Sequence, residues 1–221
     1  MIPALIDKHD TFEVVRDQIA AILATEVASQ MALATAAAKD PDDWKLRIFS
    51  ERSNPWEQLL NEQTDRSPIV NVWYDNSGFN QSASNVVERQ ATEAVYNIDC
   101  YGYGMSSDDP TGGHTPGDKE AALEVHRALR LVRNILMAAD YTYLGLRKTV
   151  WKRWPQSVTV FQPQLDGRSV EQVVGARMAF RVTFNEFSPQ VAENVLELVS
   201  TNVKRTEDGE IVINADYDYT L

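Results

Sequence analysis

Apolar residues recur every three or four positions in two stretches of the chain, which predicts two long amphipathic helices. The first stretch follows Asp10 and Thr11, either of which can act as the N-cap, and an alanine-rich run continues it until Pro41 stops it. The second stretch begins at Pro116. The predicted apolar stripes comprise Phe12, Val15, Ile19, Ile22, Leu23, Val27 and Met31 in the first helix, and Val125, Leu129, Val132, Ile135, Leu136 and Ala139 in the second.

Alternation of apolar and polar residues predicts the strands. Residues 69–76 and 94–104 are rich in β-branched and aromatic side chains, and we expect them to be neighbours in one sheet. The most regular alternation covers residues 174–185, so one face of that strand packs and the other is polar. Residues 157–165 are typical of a further strand, and residues 45–50 of a short one. The packed face of the most regular strand comprises Val174, Ala176, Met178, Phe180, Val182 and Phe184.

The remaining segments complete an α+β fold. Short helices are predicted within residues 53–60 and 190–198, and the pair at 208–209, Asp-Gly, predicts the turn of a β-hairpin. The order of elements favours a mostly antiparallel sheet flanked by helices on one face, with a C-terminal β-hairpin extension. We assign residues 1–188 to the main domain. Residues 189–221 form the extension, which either belongs to the same domain or acts as an interface arm.

The composition indicates a folded, soluble protein without affinity for nucleic acid. Hydrophobic residues make up 43% of the 221 residues, and the net charge of −11 repels phosphate. We find neither a signal peptide nor an apolar run of the roughly 18 to 20 residues that cross a membrane, so no membrane partner is predicted. The single cysteine, Cys100, excludes an internal disulfide and is expected to be a buried small apolar residue.

No motif indicates catalysis, a metal or a cofactor. Gly112 and Gly117 have the spacing of a phosphate-binding loop, but Asp118 stands where that loop needs lysine. Asp118 and Glu120 instead suit the first turn of a helix, where the helix dipole favours negative charge. The three histidines lack partners at zinc-binding spacing. We therefore expect a protein that is not an enzyme. The alternative from another class is a nucleotide-binding enzyme that uses the glycine-rich loop at residues 102–120.

The segment LRKTVWKRW, residues 146–154, is the strongest local departure from the acidic composition. Interleaved basic and aromatic residues can stack on single-stranded nucleic acid, and they equally suit a contact with an acidic protein surface. The protein interface is favoured because the rest of the chain repels phosphate. An exposed strand edge is a third interpretation. The candidate interface residues are Arg147, Lys148, Trp151, Lys152, Arg153 and Trp154.

Across residues 5–190, the order of patterns resembles that of the tail-terminator and neck proteins of tailed bacteriophages, including the minor tail proteins of Mu-like contractile phages. The resemblance is carried by an N-terminal amphipathic helix, the strands IVNVWYDN and ATEAVYNIDCYGYG, the helix KEAALEVHRALRLVRNIL, and the closing strand VVGARMAFRVTFNEFSPQ. It is a resemblance of order and pattern, without a catalytic motif.

The resemblance implies a structural virion protein that forms a ring, usually sixfold, at the phage neck. Such a ring terminates the tail tube and joins it to the head connector or collar proteins, with possible contacts to the sheath. DNA passes through its lumen without specific binding. The protein would reside in the virion and, during assembly, in the host cytoplasm. A collar, gateway or head-completion component of the neck is the alternative within this class. Outside this class, the alternative is a soluble host-targeted adaptor or chaperone that binds a separate protein through Trp151 and Trp154.

Overall fold

Two long helices and five main strands make up the larger of two compact units, residues 1–188 and residues 189–221. The computed structural model describes residues 7, 9–61, 65–79, 89–108, 111, 113–165, 168–169, 172–187, 198–204 and 211–218. The elements of the first unit are α1 (Thr11–Ala36), β1 (Arg47–Ser50), α2 (Glu57–Asn61), β2 (Ile69–Phe79), β3 (Arg89–Tyr103), β4 (Ser107–Asp108), β5 (His114–Thr115), α3 (Gly117–Met137), β6 (Val150–Phe161), β7 (Gln164–Leu165), β8 (Arg168–Ser169) and β9 (Val173–Phe187). Single 3-10 turns cover Pro41–Trp44 and Ala139–Tyr141.

Helix α1 starts where the sequence predicts. The backbone N–H of Asp10 donates a hydrogen bond to the carboxylate of Glu13 at 3.0 Å, one half of a capping box. The helix ends at Ala36, and Pro41 opens a 3-10 turn in which the Asp40 carboxylate accepts a hydrogen bond from the N–H of Asp42 at 3.0 Å. The helix thus ends before the proline, where Ala38 has φ of +55° and the N–H of Lys39 donates a hydrogen bond to the carbonyl oxygen of Ala34 at 2.9 Å, and Pro41 begins the next element.

The apolar content of α1 is greater than the sequence analysis states. By length and composition alone, this helix reaches what a membrane span requires, with a mean hydropathy of 1.5. In the fold, its Val15, Ile19, Leu23 and Val27 are buried against the sheet. The core helix of a folded domain passes the same test of composition, and the packing of this face accounts for the apolar stripe.

The five main strands form one mixed sheet in the order β1-β2-β3-β9-β6. Only β1 and β2 are parallel, whereas the other neighbours are antiparallel. The central pair, β3 and β9, matches Arg89–Tyr103 with Val173–Phe187 in reverse order without a register shift. The predictions of an α+β fold, of a mostly antiparallel sheet and of β2 beside β3 are confirmed.

Helices α1 and α3 cover one face of the sheet. The alternating residues of β9 behave as predicted, because Ala176, Met178, Phe180, Val182 and Phe184 are buried with the apolar stripes of both helices. Cys100 is fully buried in the same core, and burial raises the pKa of its thiol. The short helix α2 departs from the one-face arrangement.

The departure arises because α2 packs on the opposite face of the sheet. Trp56 and Leu59 are buried there with Ile69, Tyr101 and Val173. Trp56, immediately before this five-residue helix, is only 4% exposed, and burial of its large aromatic ring anchors the helix on this face.

Several predicted boundaries differ from the structure, among them the start of β3 at Arg89 rather than at residue 94. Strand β6 starts at Val150 rather than at residue 157, because charged residues and a proline interrupt the alternation at its start. Helix α2 starts at Glu57, after a turn in which Asn54 has φ of +47°.

In the second unit, β10 (Leu198–Lys204) pairs antiparallel with β11 (Ile211–Asp218), as the hairpin prediction requires. The Asp-Gly turn at residues 208–209 lies outside the described residues. The predicted helix over residues 190–198 lies outside them as far as residue 197, and Leu198 begins β10.

Two glycines at the end of β3 allow α3 to lie directly on the sheet. A Cβ atom on Gly102 would stand 2.6 Å from the carbonyl oxygen of Ala121. A Cβ on Gly104 would overlap the carbonyl oxygen of Gly117 and the backbone nitrogen of Ala121. Both obstacles are backbone atoms of the helix, which cannot rotate away as a side chain can. The helix therefore depends on glycine at these positions.

We expect Gly104→Ala to destabilise the fold, because the added methyl forces the first turn of α3 away from β3. Overpacking of this kind costs about 1 to 3 kcal/mol. Thermal unfolding followed by circular dichroism measures it. Gly78→Ala is the matched control, since a Cβ atom there meets no atom within 4 Å. Equal melting temperatures for the two variants would contradict the account.

Candidate interaction surface

The basic segment 146–154 lies at one corner of the sheet. Residues 146–149 form a turn, and from Val150 onward the segment is the beginning of β6, which is the last strand of the sheet. Residues 125–153 contain seven lysines or arginines and a single carboxylate, Asp140, in a chain with a net charge of −11. Positive charge is therefore concentrated on the second half of α3 and on the segment that follows it.

An open cleft of about 360 Å³ lies beside the start of β6. Tyr143, Arg147, Lys148, Val150 and Trp151 line it. The side chain of Trp151 is 54% exposed, and that of Tyr143 is 44% exposed. Two large aromatic surfaces beside two cations form a surface that suits an acidic partner with apolar or aromatic side chains.

A second group of basic and aromatic residues extends over the polar face of the sheet. The Lys152 ammonium lies 4.6 Å from the centroid of the Trp154 ring. The guanidinium of Arg181, on the neighbouring strand β9, lies 6.0 Å from the same centroid and donates hydrogen bonds to Gln156 and Glu93. Two cations thus lie near the Trp154 ring, and such contacts are worth about 0.5 to 1 kcal/mol each at exposed sites.

Arg153 serves a different purpose, because its guanidinium closes the end of α3. It donates hydrogen bonds to the carbonyl oxygens of Leu136 and Ala138, both at 2.7 Å, and to that of Thr142 at 3.3 Å. The last turn of α3 contains no basic residue of its own. Arg153 therefore supplies the positive charge and the donors that the end of a helix lacks. Partial burial lowers its pKa.

The outer side of β6 offers an unpaired strand edge, because no described strand lies beyond it. The two halves of this edge differ. The first half carries Lys152, Arg153 and Pro155, with register shifts on either side of them. The second half exposes Val158 and Val160, whose side chains are 49% and 53% accessible. Charges, proline and bulges protect an edge from other strands, and exposed valines do not.

The middle of the polar face holds an ion pair between a buried carboxylate and a partly exposed arginine. Asp99, only 3% exposed, accepts two hydrogen bonds from Arg177 at 2.7 and 2.9 Å and one from the indole N–H of Trp73 at 2.9 Å. The Arg177 guanidinium also lies 4.7 Å from the Trp73 ring. The hydrogen bonds to Asp99 raise the pKa of Arg177. Every oxygen of this carboxylate is occupied, so the pair has the character of a structural element.

Structural contacts explain several residues of the glycine-rich loop at residues 102–120. Gly102 and Gly104 permit the approach of α3, and the Glu120 carboxylate accepts a hydrogen bond from the N–H of Met105 at 2.9 Å. His114 Nδ1 lies 2.8 Å from Asp108. Gly112 lies outside the described residues. Within the described part of the chain, no group of three or more His, Cys, Asp or Glu side chains is arranged to hold a metal ion.

The structure distributes the six sequence-predicted interface residues over three environments. Arg147, Lys148 and Trp151 line the cleft, Lys152 and Trp154 stack on the polar face, and Arg153 binds the end of α3. The interpretation of the segment as a strand edge agrees with its position at the start of β6. The additional members of the surface are Tyr143, Arg181, Val158 and Val160.

Some of these additional residues carry a signal in the sequence. Arg181 belongs to the polar side of the alternating strand, and the two valines alternate with Thr159. Only strand pairing, however, brings Arg181 next to Trp154.

A scan against models of known protein families and a search of curated proteins found no match to this chain.

We expect Arg153→Met to destabilise the protein, because the carbonyl groups of Leu136 and Ala138 lose their charged donor. Hydrogen bonds to charged groups are worth about 1.5 to 3 kcal/mol each, so the loss amounts to at least one such bond. Denaturant unfolding measures the change. Arg147→Met, which removes an exposed arginine from the same segment, is the control and should change stability by less than about 0.5 kcal/mol. If both substitutions cost the same, Arg153 is not a helix cap.

Proposed function

We propose that this chain is a structural protein of the neck of a tailed bacteriophage. Copies of it form a closed ring, sixfold by the resemblance, which terminates the tail tube and joins it to the head connector. The observation that carries the proposal is the open, basic edge strand β6 in a subunit that is otherwise acidic. The order of helices and strands from α1 to β9, which carries the resemblance, supports it.

A ring needs a contact between two different surfaces of the same subunit. The β6 edge supplies one of them, since no described strand pairs with its outer side and it carries exposed valines and a basic, aromatic end. The complementary surface must carry negative charge. The chain has more carboxylates than basic residues, with a net charge of −11, so it can supply such a surface. Opposite charges on the two surfaces orient the subunits head to tail and disfavour contacts between like surfaces.

In the neck of a phage, the protein would act through its shape and through its contacts with other proteins. The partners are other copies of the chain, the tail tube, the sheath where the tail contracts, and the connector or collar on the head side. DNA crosses the lumen without a specific site. A surplus of negative charge suits this passage, because phosphate is repelled from most of the surface.

We expect Lys152→Glu to weaken assembly of the purified protein, because the change places a carboxylate at the basic edge where an acidic surface docks. A reversed charge in such a contact raises the dissociation constant about tenfold or more. Light scattering coupled to size-exclusion chromatography gives the assembled mass as a function of concentration. Lys119→Glu is the matched control, because it makes the same charge change in the exposed first turn of α3.

Two results would reject the proposal. One is a wild-type protein that stays monomeric at its highest soluble concentration. The other is a virion whose neck, imaged by electron microscopy with an antibody against this chain, lacks it. An unchanged assembled mass for Lys152→Glu would reject the β6 edge as the contact and leave the ring itself in place.

A further inference from the structure

The first half of the open β6 edge is protected against pairing with another strand, and the second half is not. Between Val150 and Pro155 the edge carries two cations, a proline and two register shifts. Ser157–Phe161 contains neither a charge nor a proline, and four of its five residues are β-branched or aromatic. An uncharged segment of this kind on an open edge is suited to accept another strand.

The second unit contains a hairpin that needs a partner. Among the described residues, strands β10 and β11 form a two-stranded sheet, and an isolated two-stranded hairpin is marginally stable in water. Residues 189–221 contain seven carboxylates and two basic residues. The net charge of this extension is therefore opposite in sign to that of the basic segment at the start of β6.

The sequence of β11 matches that of β6 when the two are aligned in opposite directions. Strand β11 begins with the uncharged residues 211–214, Ile-Val-Ile-Asn, and ends with Asp216 and Asp218 among its last three residues. Strand β6 runs the other way, from its basic start at Lys152 to its uncharged valines. Val158 lies six residues from Lys152, and Val212 lies six residues from Asp218, so both charges are about 20 Å from the apolar ends.

We propose that β11 of one copy adds to the β6 edge of the next copy as an antiparallel strand. In the register that places Val212 opposite Val158, residues 211–213 pair with Ser157–Thr159, and Asp216 and Asp218 stand opposite Trp154 and Lys152 at the basic end of β6. This contact rests on the proposed ring, for which it names the two complementary surfaces. Backbone hydrogen bonds along a short uncharged segment give the contact its affinity, and the charges at one end set its direction and register.

The occupant is a second copy of the same chain because the edge and the hairpin are complementary in direction, length and charge. The contact joins two different surfaces, so it repeats from copy to copy and closes into a ring when the rotation permits. A strand from a different acidic protein is the competing occupant, and it predicts that changes in the hairpin leave assembly unchanged.

The test exchanges charges between copies. The edge variant carries Arg147→Glu and Lys152→Glu, and the hairpin variant carries Asp216→Lys and Asp218→Lys. Each variant alone places like charges together at every contact, and we expect its dissociation constant to rise about 100-fold. In an equimolar mixture, each contact joins a native edge to a native hairpin or a reversed edge to a reversed hairpin. We expect the mixture to regain the wild-type assembled mass in light scattering.

A matched control separates this contact from a general effect of net charge. The control variant carries Asp42→Lys and Asp43→Lys in the exposed 3-10 turn after α1, which gives the same change in net charge as the hairpin variant. Thermal unfolding establishes that each variant is folded. A control variant that restores the edge variant equally well would overturn the inference. So would a hairpin variant that assembles as the wild type does, or a charge-exchanged mixture that stays dissociated while the wild type forms rings. The last two results leave the proposed ring intact, whereas a monomeric wild type rejects both.

Discussion

The unbroken antiparallel ladder between β3 and β9 is the constraint on which the rest of the structure depends. Its fifteen residue pairs run without a register shift, whereas the ladders on either side, β2 with β3 and β6 with β9, each contain bulges. A register slip of one residue in β9 would turn Met178, Phe180 and Val182 to the polar face. The same slip would separate Arg177 from the buried carboxylate of Asp99.

Packing of the two long helices follows from this ladder. The glycines at positions 102 and 104 occur where β3 ends, so α3 touches the strand backbone and its apolar stripe lies over β3 and β9. Arg153 then binds the other end of α3 from β6. The helix is therefore held at both ends by the sheet, and the edge strand that carries the proposed contact surface is fixed to the core of the subunit.

Patterns of period two and period 3.6 were sufficient to predict most of the main domain. The strands at Ile69, Ala94 and Val174 and both long helices appear because their burial is one-sided and regular. The start of β6 was not predicted as strand, because Lys152, Arg153 and Pro155 interrupt the alternation in the way that protected edges do. The side on which α2 packs depends on Trp56, whose contacts are distant in sequence and leave no local pattern.

The sequence was sufficient to predict the composition of the candidate surface. It was not sufficient to predict how its side chains are arranged. The segment at residues 146–154 stands out because positive charge and tryptophan are rare in this chain. Its sequence gives no reason to separate Arg153, which caps a helix, from Arg147 and Lys152, which face outward. That division depends on how close the carbonyl of Leu136 comes to β6, and only the fold determines it.

Pro155 and the bulges beside it limit how two identical β6 edges can meet. A proline lacks the N–H that a continuous ladder requires, and each bulge shifts the backbone out of phase with a straight neighbour. Identical β6 edges therefore cannot pair over their full length, and Ser157–Phe161 is the part of the edge that stays open to another strand.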